Sequence, residues 1–136
     1  MKTVKPSELL SEAAIQASIK QYLEMKRYLV IRINSGAMAG EHKGKKWFMR
    51  FNSAPGCSDL LFCQPETGKF GAFEVKDRNW EPPKQLIQDR KTKRHKINPK
   101  WTHYIEQKTF IEQVIARRGI GAFVKSIEDV IKALEG

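Results

Sequence analysis

The chain has only two cysteines and three histidines, and this shortage limits the metal sites it can build. Cys57 and Cys63 lie six positions apart, with no second pair of cysteines and no histidine at ligand spacing. A zinc site is therefore not expected. Reduced thiols in a cytosolic compartment are the default expectation for such a chain.

Long apolar runs and targeting segments are also missing. No apolar run approaches the ~20 residues that a membrane-spanning helix needs. The N-terminal stretch 1–16 has a positive region, but it lacks the apolar block and small-residue cleavage site of a signal peptide. No repeat, low-complexity tract or linker divides the sequence. We therefore expect a single domain over residues 1–136, located in the cytoplasm.

Acidic residues are scarce relative to basic ones. The chain has 25 Lys and Arg against 15 Asp and Glu, a formal net charge of +10. A positive field attracts polyanions, so nucleic acid is the first partner expected, ahead of an anionic membrane. An ordinary basic protein is the alternative. The charge is concentrated between Lys84 and Lys100, where seven basic residues face one acid, Asp89.

Apolar periodicity and turn residues predict a mixed β-sheet with helices packed on it. The last long helix should carry one apolar stripe made of Tyr104, Gln107, Phe110, Ile111, Val114 and Ile115, and should end at Gly119 in the C′ position. The predicted elements are a helix capped by Ser7 or Ser11 and running to about Lys26, a strand at 28–34, a basic loop at 35–46, a strand at 47–52, a turn at 53–56, a hairpin at 58–76, an irregular segment at 77–100 in which 83–94 can form a short helix, a helix from about Thr102, a strand at 121–126 and a terminal helix capped by Ser126.

The stretch SDLLFCQPETGKFGAFEVK, residues 58–76, reads as an apolar hairpin that contains charged residues. If QPETGK is the turn, Gln64 faces Lys69 and Asp59 lies directly across from Glu74 on the same face of the sheet. Strand alternation places Lys76 on that face as well. The opposite face is wholly apolar, with Leu60, Phe62, Phe73 and Val75.

Two carboxylates that face each other in an apolar hairpin repel, and each loses solvation. Either Lys76 alone compensates them in a structural ion triad, or a divalent cation bridges them. Oxygen ligands suit Mg²⁺ or Mn²⁺. In the second case Lys76 can position or deprotonate a water and stabilise negative charge in the transition state.

Glu12 continues the core-facing stripe of the first helix, because it precedes Ile15, Ile19 and Leu23 at helical spacing. A carboxylate there faces the sheet and can serve as a further metal ligand. It is equally readable as a glutamate that favours the positive N-terminal end of a helix. Gln16 is ambiguous for the same reason.

An Asp followed about fifteen residues later by Glu-x-Lys resembles the signature of the PD-(D/E)xK nuclease superfamily. Within it the chain resembles the small, stand-alone VRR-NUC domains of bacteriophages and bacteria. A lone D…ExK is a weak signal, and the glutamate of the first helix and the glutamine of the later helix make it more specific. The matching stretches are EAAIQASIKQYL (12–23), RINSG (32–36), GCSDLLF (56–62), GAFEVK (71–76), EQKTFIEQVIARRGIGAFV (106–124) and SIEDVIKAL (126–134).

The resemblance implies a restriction-endonuclease-like α/β fold with an αβββαβ core and metal-dependent hydrolysis of DNA phosphodiesters. Glu12, Asp59 and Glu74 would be metal ligands, joined by the backbone carbonyl of Val75, and Lys76 would be the catalytic lysine. Gln107 matches the family's glutamine on the helix after the ExK strand, although a capping or core-edge glutamine is the alternative. Small stand-alone members suggest a homodimer that cuts four-way junctions or related branches in a bacterial or phage-infected cytoplasm, with no membrane partner.

The chain departs from the family pattern in two places. Ser58 stands where proline is frequent, and a basic insertion at about 77–103 is longer than usual. The insertion, with Trp80 and Trp101, reads as a DNA-contacting element, or alternatively as a solvated loop whose tryptophans pack on the globule. The candidate DNA-binding residues are Lys43, Lys45, Lys46, Trp80, Lys84, Arg90, Lys91, Lys93, Arg94 and Lys96.

Three functions stay open at this point. The first is a Mg²⁺- or Mn²⁺-dependent endonuclease selective for branched DNA. The second is a duplex-specific restriction-type or nicking endonuclease. The third is a non-catalytic DNA-binding module that retains a relic site. His42, His95 and His103 receive no role; each is expected to face solvent or contact phosphate.

Overall fold

The computed structural model describes residues 11–33, 37–50 and 54–136. The fold is mixed α/β, as predicted, with helices packed on a mixed central sheet. The elements are α1 (Glu12–Met25), β1 (Leu29–Arg32), β2 (Ala37–His42), β3 (Lys45–Arg50), β4 (Leu60–Cys63), β5 (Phe70–Val75), β6 (Leu86–Gln88), β7 (His95–Ile97), α2 (Pro99–Ala116), β8 (Ile120–Val124) and α3 (Ile127–Glu135).

The central sheet has four strands in the order β1-β4-β5-β8. The β1–β4 and β4–β5 pairs are antiparallel, and β5–β8 is parallel, with α2 as the crossover. Leu60 pairs with Phe73 and Cys63 with Phe70. The register predicted for this hairpin is therefore confirmed, and it brings Asp59 opposite Glu74.

Helices cover both faces of the sheet at β5. On one face α1 and α3 pack over Leu60, Phe62, Phe73 and Val75, all of which are buried. On the other face α2 packs on β5 and β8. Burial of each large side chain contributes about 1.5–3 kcal/mol. Because a β-carbon on Gly71 would overlap the ring of Phe62, the hairpin also needs a glycine there.

The helix caps follow the sequence signals closely. The Ser11 hydroxyl accepts a hydrogen bond from the Ala14 backbone N–H and caps α1, and Ser126 caps α3 in the same way through Asp129. Ser7, the other candidate cap, lies outside the described residues. Within the described ranges, no helix combines the length and apolarity needed to cross a membrane.

The predicted basic loop at 35–46 is wrong over most of its length. Residues 37–50 form a hairpin in which β2 pairs with β3, and β3 begins at Lys45 rather than 47. Lys43 and Gly44 both have positive φ, 51° and 76°, which is the backbone of a two-residue hairpin turn. Residues 34–36 and 51–53, which the predicted strands, loop and turn also included, lie outside the described residues.

The short helix predicted within 83–94 is also wrong, since β6 and β7 form an antiparallel hairpin there. Asp89 specifies the turn, because its Oδ1 accepts hydrogen bonds from the backbone N–H groups of Lys91 and Thr92. Lys93 takes the positive φ, 56°, that closes the turn.

The insertion ends earlier than predicted, because α2 begins at Pro99 and not at about Thr102. Buried Asn98 caps the helix by accepting from the Lys100 backbone N–H, and its own side-chain amide donates to the Lys84 carbonyl. Its backbone N–H donates to Gln85. One side chain thus ties the base of the β6–β7 hairpin to the start of α2.

The end of α2 corrects two further details. The residue in the left-handed C′ conformation is Arg118, with φ 65°, and Gly119 follows it at C″. Gly119 is needed for close approach, because a β-carbon would lie 2.6 Å from Val114 Cγ1. The stripe of α2 buries Gln107, Ile111 and Val114 as predicted, but Ile115 is 51 % exposed.

Candidate active site

Four of the predicted site residues come together where β4 begins and β5 ends. Asp59 precedes β4, Glu74 lies in β5, Lys76 follows β5 directly, and Gln107 projects from α2. Lys76 Nζ donates to Gln107 Oε1 over 3.1 Å and lies 3.7 Å from Glu74 Oε1. Gln107 Nε2 donates to Glu74 Oε1 over 2.8 Å. The side chains of Lys76, Gln107 and Glu74 therefore form one connected cluster, and the register of the hairpin places Asp59 opposite Glu74.

Backbone hydrogen bonds hold Asp59 from two neighbouring strands. Its carbonyl accepts from the Ile33 backbone N–H over 2.8 Å, and its carboxylate Oδ2 accepts from the Val75 backbone N–H over 2.9 Å. The turn before it rests on α2, because Gly56, with φ 71°, leaves no room for a β-carbon against the Glu106 carbonyl. Asp59 is thus fixed in position by β1, by β5 and, through this turn, by α2.

Glu74 is buried, with 3 % of its surface exposed, and only one of its carboxyl oxygens is satisfied. Oε1 has Gln107 and Lys76, whereas Oε2 is buried without a hydrogen-bond partner among the described residues. Burial, followed by the negative charge of Asp59, raises the pKa of Glu74 to about 9, although Lys76 acts in the opposite direction. Lys76 therefore does not fully offset the effect of burial and of Asp59 on Glu74, and the choice between a structural ion triad and a cation site stays open.

Glu12 lies close enough to take part electrostatically, but it does not join a ligand group. It is exposed at the start of α1, yet partial burial of its carboxyl group and the charge of Asp59 raise its pKa. In the part of the chain that the structure describes, no three His, Cys, Asp or Glu side chains are arranged to hold a metal ion. The roles of Glu12 and of the Val75 carbonyl as ligands stay predictions.

Two neighbours of Asp59 were missed as site residues. Ser58, noted from sequence only as a departure from proline, is fully buried, and its hydroxyl lacks a partner among the described residues. Cys57 is buried, and burial, together with the charges of Glu74 and Asp59, raises the pKa of its thiol. Adjacency to Asp59 was the only sequence signal for either residue.

His103 was left without a role from sequence, and the structure places it against Gln107. The two side-chain nitrogens, His103 Nε2 and Gln107 Nε2, are 3.3 Å apart. The signal was present in the spacing, because residues four apart on a helix lie on the same face. His103 is itself exposed and lines the solvent side of the cluster.

A groove of about 620 Å³ opens beside Lys76 and Gln107, and its walls include Trp80, Pro83, His103 and Tyr104. Trp80 stacks on Phe123, with ring centroids 5.3 Å apart and planes at 10°. Lys76 Nζ lies 5.4 Å from the ring centroid of Trp80. Its contacts therefore match the alternative in which a tryptophan packs on the globule. Trp101 is half-buried in α2. A DNA contact by Trp80 stays a prediction.

The predicted DNA-binding cations lie on two exposed hairpins that belong to separate sheets. All of them are exposed, and Lys96 lies 3.5 Å from Asp89. Whether the two hairpins form one DNA-binding surface stays a prediction. Lys43, Lys45 and Lys46 belong to the β2–β3 hairpin, and Lys84, Arg90, Lys91, Lys93, Arg94 and Lys96 belong to β6–β7 and its flanks.

Comparison with known proteins found no matching family model, no matching curated protein and no matching solved structure.

Proposed function

We propose that the chain is a Mg²⁺- or Mn²⁺-dependent endodeoxyribonuclease that cuts branched DNA, such as a four-way junction. The observation that carries this proposal is the junction of β4 and β5, where two carboxyl groups, a lysine and a glutamine meet with one buried carboxyl oxygen left unsatisfied. A fold gains nothing from an uncompensated buried carboxyl group, which costs free energy. In a site that binds a cation and a phosphate, that carboxyl group serves as a ligand of the cation.

The donor set fits a hard divalent cation. Asp59 and Glu74 would hold it through carboxylate oxygens, and the unsatisfied Glu74 Oε2 is the atom that most needs a positive partner. The Val75 carbonyl and Glu12 are further candidate ligands. When bound, the cation would activate water and neutralise phosphate charge. Glu74 must lose its proton first, so binding is expected to tighten as pH rises.

The chain's own residues have separate tasks in this proposal. Lys76 presents an ammonium group to the scissile phosphate and stabilises the negative charge that grows as water attacks phosphorus. Gln107 holds Lys76 and Glu74 in fixed relative positions through its amide. The net reaction adds one water across a P–O bond and yields a phosphomonoester and a free hydroxyl. Asp59, fixed by backbone contacts, keeps the site rigid.

The basic hairpins would supply affinity without sequence preference. Their exposed lysines and arginines suit contacts to phosphates, which carry no base information. Recognition would then depend on DNA shape. We also propose that the order α1-β1-β4-β5-α2-β8 is a restriction-endonuclease-like core, and that the chain acts as a cytoplasmic homodimer, since two symmetric nicks need two sites.

A cleavage assay tests the proposal. The protein is incubated with a four-way junction of fixed arms, a matched duplex and single strands, in Mg²⁺, Mn²⁺ or EDTA. We expect paired nicks in the junction with either metal and none in EDTA. Asp59→Asn and Lys76→Ala should each lose at least about 100-fold in rate, since each removes a ligand or a charge-stabilising group. Lys108→Ala, an exposed lysine paired with Glu112, is the matched control.

The other outcomes decide among the remaining functions. Cleavage of duplex at defined sequences would indicate a restriction-type enzyme. Tight DNA binding without cleavage in any metal would indicate a binding module and contradict the nuclease proposal. The melting temperature in saturating Mg²⁺ is a separate readout of the cation site, and we expect it to rise because the cation binds only the folded chain.

A further inference from the structure

Three contacts surround the side-chain amide of Gln107. Its Oε1 accepts from Lys76 Nζ, and its Nε2 donates to Glu74 Oε1. The third contact joins Gln107 Nε2 to His103 Nε2 over 3.3 Å. His103 is the exposed member of this chain of contacts, and Gln107 and Glu74 are its buried members.

Lys76 determines which way the amide points. An ammonium group only donates, so the atom that faces it has to be the amide oxygen. The amide nitrogen then faces both Glu74 and His103, and it has one N–H for each of them. Nε2 of His103 must accept this second N–H. A neutral imidazole can do so only if its proton is on Nδ1.

We propose that His103 is a positioning residue of this site, held as the neutral Nδ1–H tautomer, which fixes Gln107 and through it the relative placement of Lys76 and Glu74. The inference deepens the proposed nuclease function and rests on it. His103 acts through Gln107, so it affects turnover without a requirement for contact with DNA. Loss of a side chain that contacts a metal ligand typically lowers activity by about 10–100-fold, and His103 is one contact further out, so the lower end of that range is expected.

NMR of ¹⁵N-labelled histidine side chains tests the hydrogen bond without reference to activity. The spectrum of the full chain at pH 8, without metal, should show His103 as the Nδ1–H tautomer, the opposite of the form that free imidazole side chains favour. The Gln107 side-chain amide signals should shift in the His103→Ala variant, which lacks the acceptor. A dominant Nε2–H tautomer of His103 overturns the inference even if the chain cuts DNA.

Kinetics of three variants test the positioning role. His103→Ala should lower kcat about 10-fold and leave KM unchanged. His103→Gln offers a side-chain carbonyl as acceptor, so it should retain most of kcat. His103→Lys places a donor there that cannot accept from Gln107, so its kcat should fall at least as far as that of His103→Ala. Thr102→Ala, exposed on the neighbouring position of α2, is the matched control.

Circular dichroism confirms that each variant is folded before rates are compared, and His103→Gln keeps the test decisive if the alanine variant does not fold. A change confined to KM would mean that His103 contacts DNA and does not position Gln107. Equal kcat values for His103→Ala, His103→Gln and His103→Lys would also contradict the inference. If the wild-type chain cuts no DNA, the nuclease proposal fails. The tautomer measurement alone then decides whether His103 accepts a hydrogen bond from Gln107.

Discussion

The β4–β5 and β6–β7 hairpins have the same pairing, but they differ in where their charged groups lie. Both are antiparallel pairs closed by a turn that carries polar residues. In β4–β5 the strands are largely buried, and Glu74 is buried with them. In β6–β7 nearly every residue is exposed, and six cations on it or beside it face solvent.

The difference teaches which charges a fold can place precisely. Water screens an exposed lysine, and its side chain keeps its rotamer freedom, so β6–β7 presents a diffuse positive field. Burial removes that screening in β4–β5, where Glu74 Oε1 has Gln107 and Lys76 as partners and the missing partner of Oε2 is costly. One hairpin therefore suits chemistry at a fixed point, and the other suits contact with a polyanion.

The largest effect should come from removing apolar packing beneath the buried hairpin. Phe62 in β4 is buried against Tyr28 and Phe73. Phe62→Ala should lower the free energy of unfolding by about 3–5 kcal/mol, as such truncations do in packed cores. Ile97→Ala in β7, a residue 56 % exposed, should cost about 1 kcal/mol or less. Urea denaturation followed by circular dichroism measures both.

Equal costs for the two substitutions would contradict the contrast between the hairpins. A change in the slope of the urea dependence for Phe62→Ala alone would point to a changed denatured state, and the comparison would then use melting temperatures as well.

The register of the buried hairpin was predictable from its turn. If QPETGK is the turn, Leu60 lies opposite Phe73, as the structure shows, and the position of Asp59 opposite Glu74 follows from counting. Gln107 was predictable from its place on the apolar stripe of α2. The two apolar runs on either side of that turn marked the strands, since strands covered on both faces are apolar along their length.

The exposed hairpins were not predictable in the same way. Strands β6 and β7 have no buried face, so no alternation marks them. The turns of β2–β3 and β6–β7 place Lys43 and Lys93 at positive φ, a backbone region that lysine does not favour. The unsatisfied oxygen of Glu74 and the contact of His103 depend on atomic positions from separate elements, which spacing alone does not provide.

The second effect concerns the pH dependence of stability. The pKa of Glu74 is raised from 4.5 to about 9 in the folded chain, so between these values the folded state holds a proton that the unfolded state has lost. The metal-free chain should then lose free energy of unfolding as pH rises, by up to about 1.4 kcal/mol per pH unit for one proton. Glu74→Gln has no such proton, so its unfolding free energy should exceed that of the wild type increasingly from pH 6 to 8.

Glu112→Gln is the control, because Glu112 is an exposed glutamate of α2 whose carboxylate pairs with Lys108. Its stability should follow the pH dependence of the wild type. If the unfolding free energies of Glu74→Gln and the wild type change with pH in parallel, Glu74 holds no extra proton in the folded state. The raised pKa of Glu74 would then be contradicted. Added Mg²⁺ should reduce the difference between the two curves, since the cation stabilises only the ionised wild-type site.

The smallest effect on stability should come from the exposed hairpin, where binding changes instead. Arg90→Ala combined with Lys91→Ala removes two exposed cations from the turn of β6–β7. The free energy of unfolding should stay within about 0.5 kcal/mol of the wild type. Affinity for DNA should fall, and the slope of log K against log salt should decrease by about 1 for each lost phosphate contact. Fluorescence anisotropy at several salt concentrations measures both.

Lys20→Ala combined with Lys108→Ala is the matched control, because it removes the same charge from exposed helical positions that already pair with glutamates. If both double variants change the salt slope equally, net charge alone governs DNA binding and the hairpin has no special role. A slope that falls only for the hairpin variant, at unchanged stability, separates the two hairpins by function. The buried one would then hold the chemistry in place, and the exposed one would hold the DNA against it.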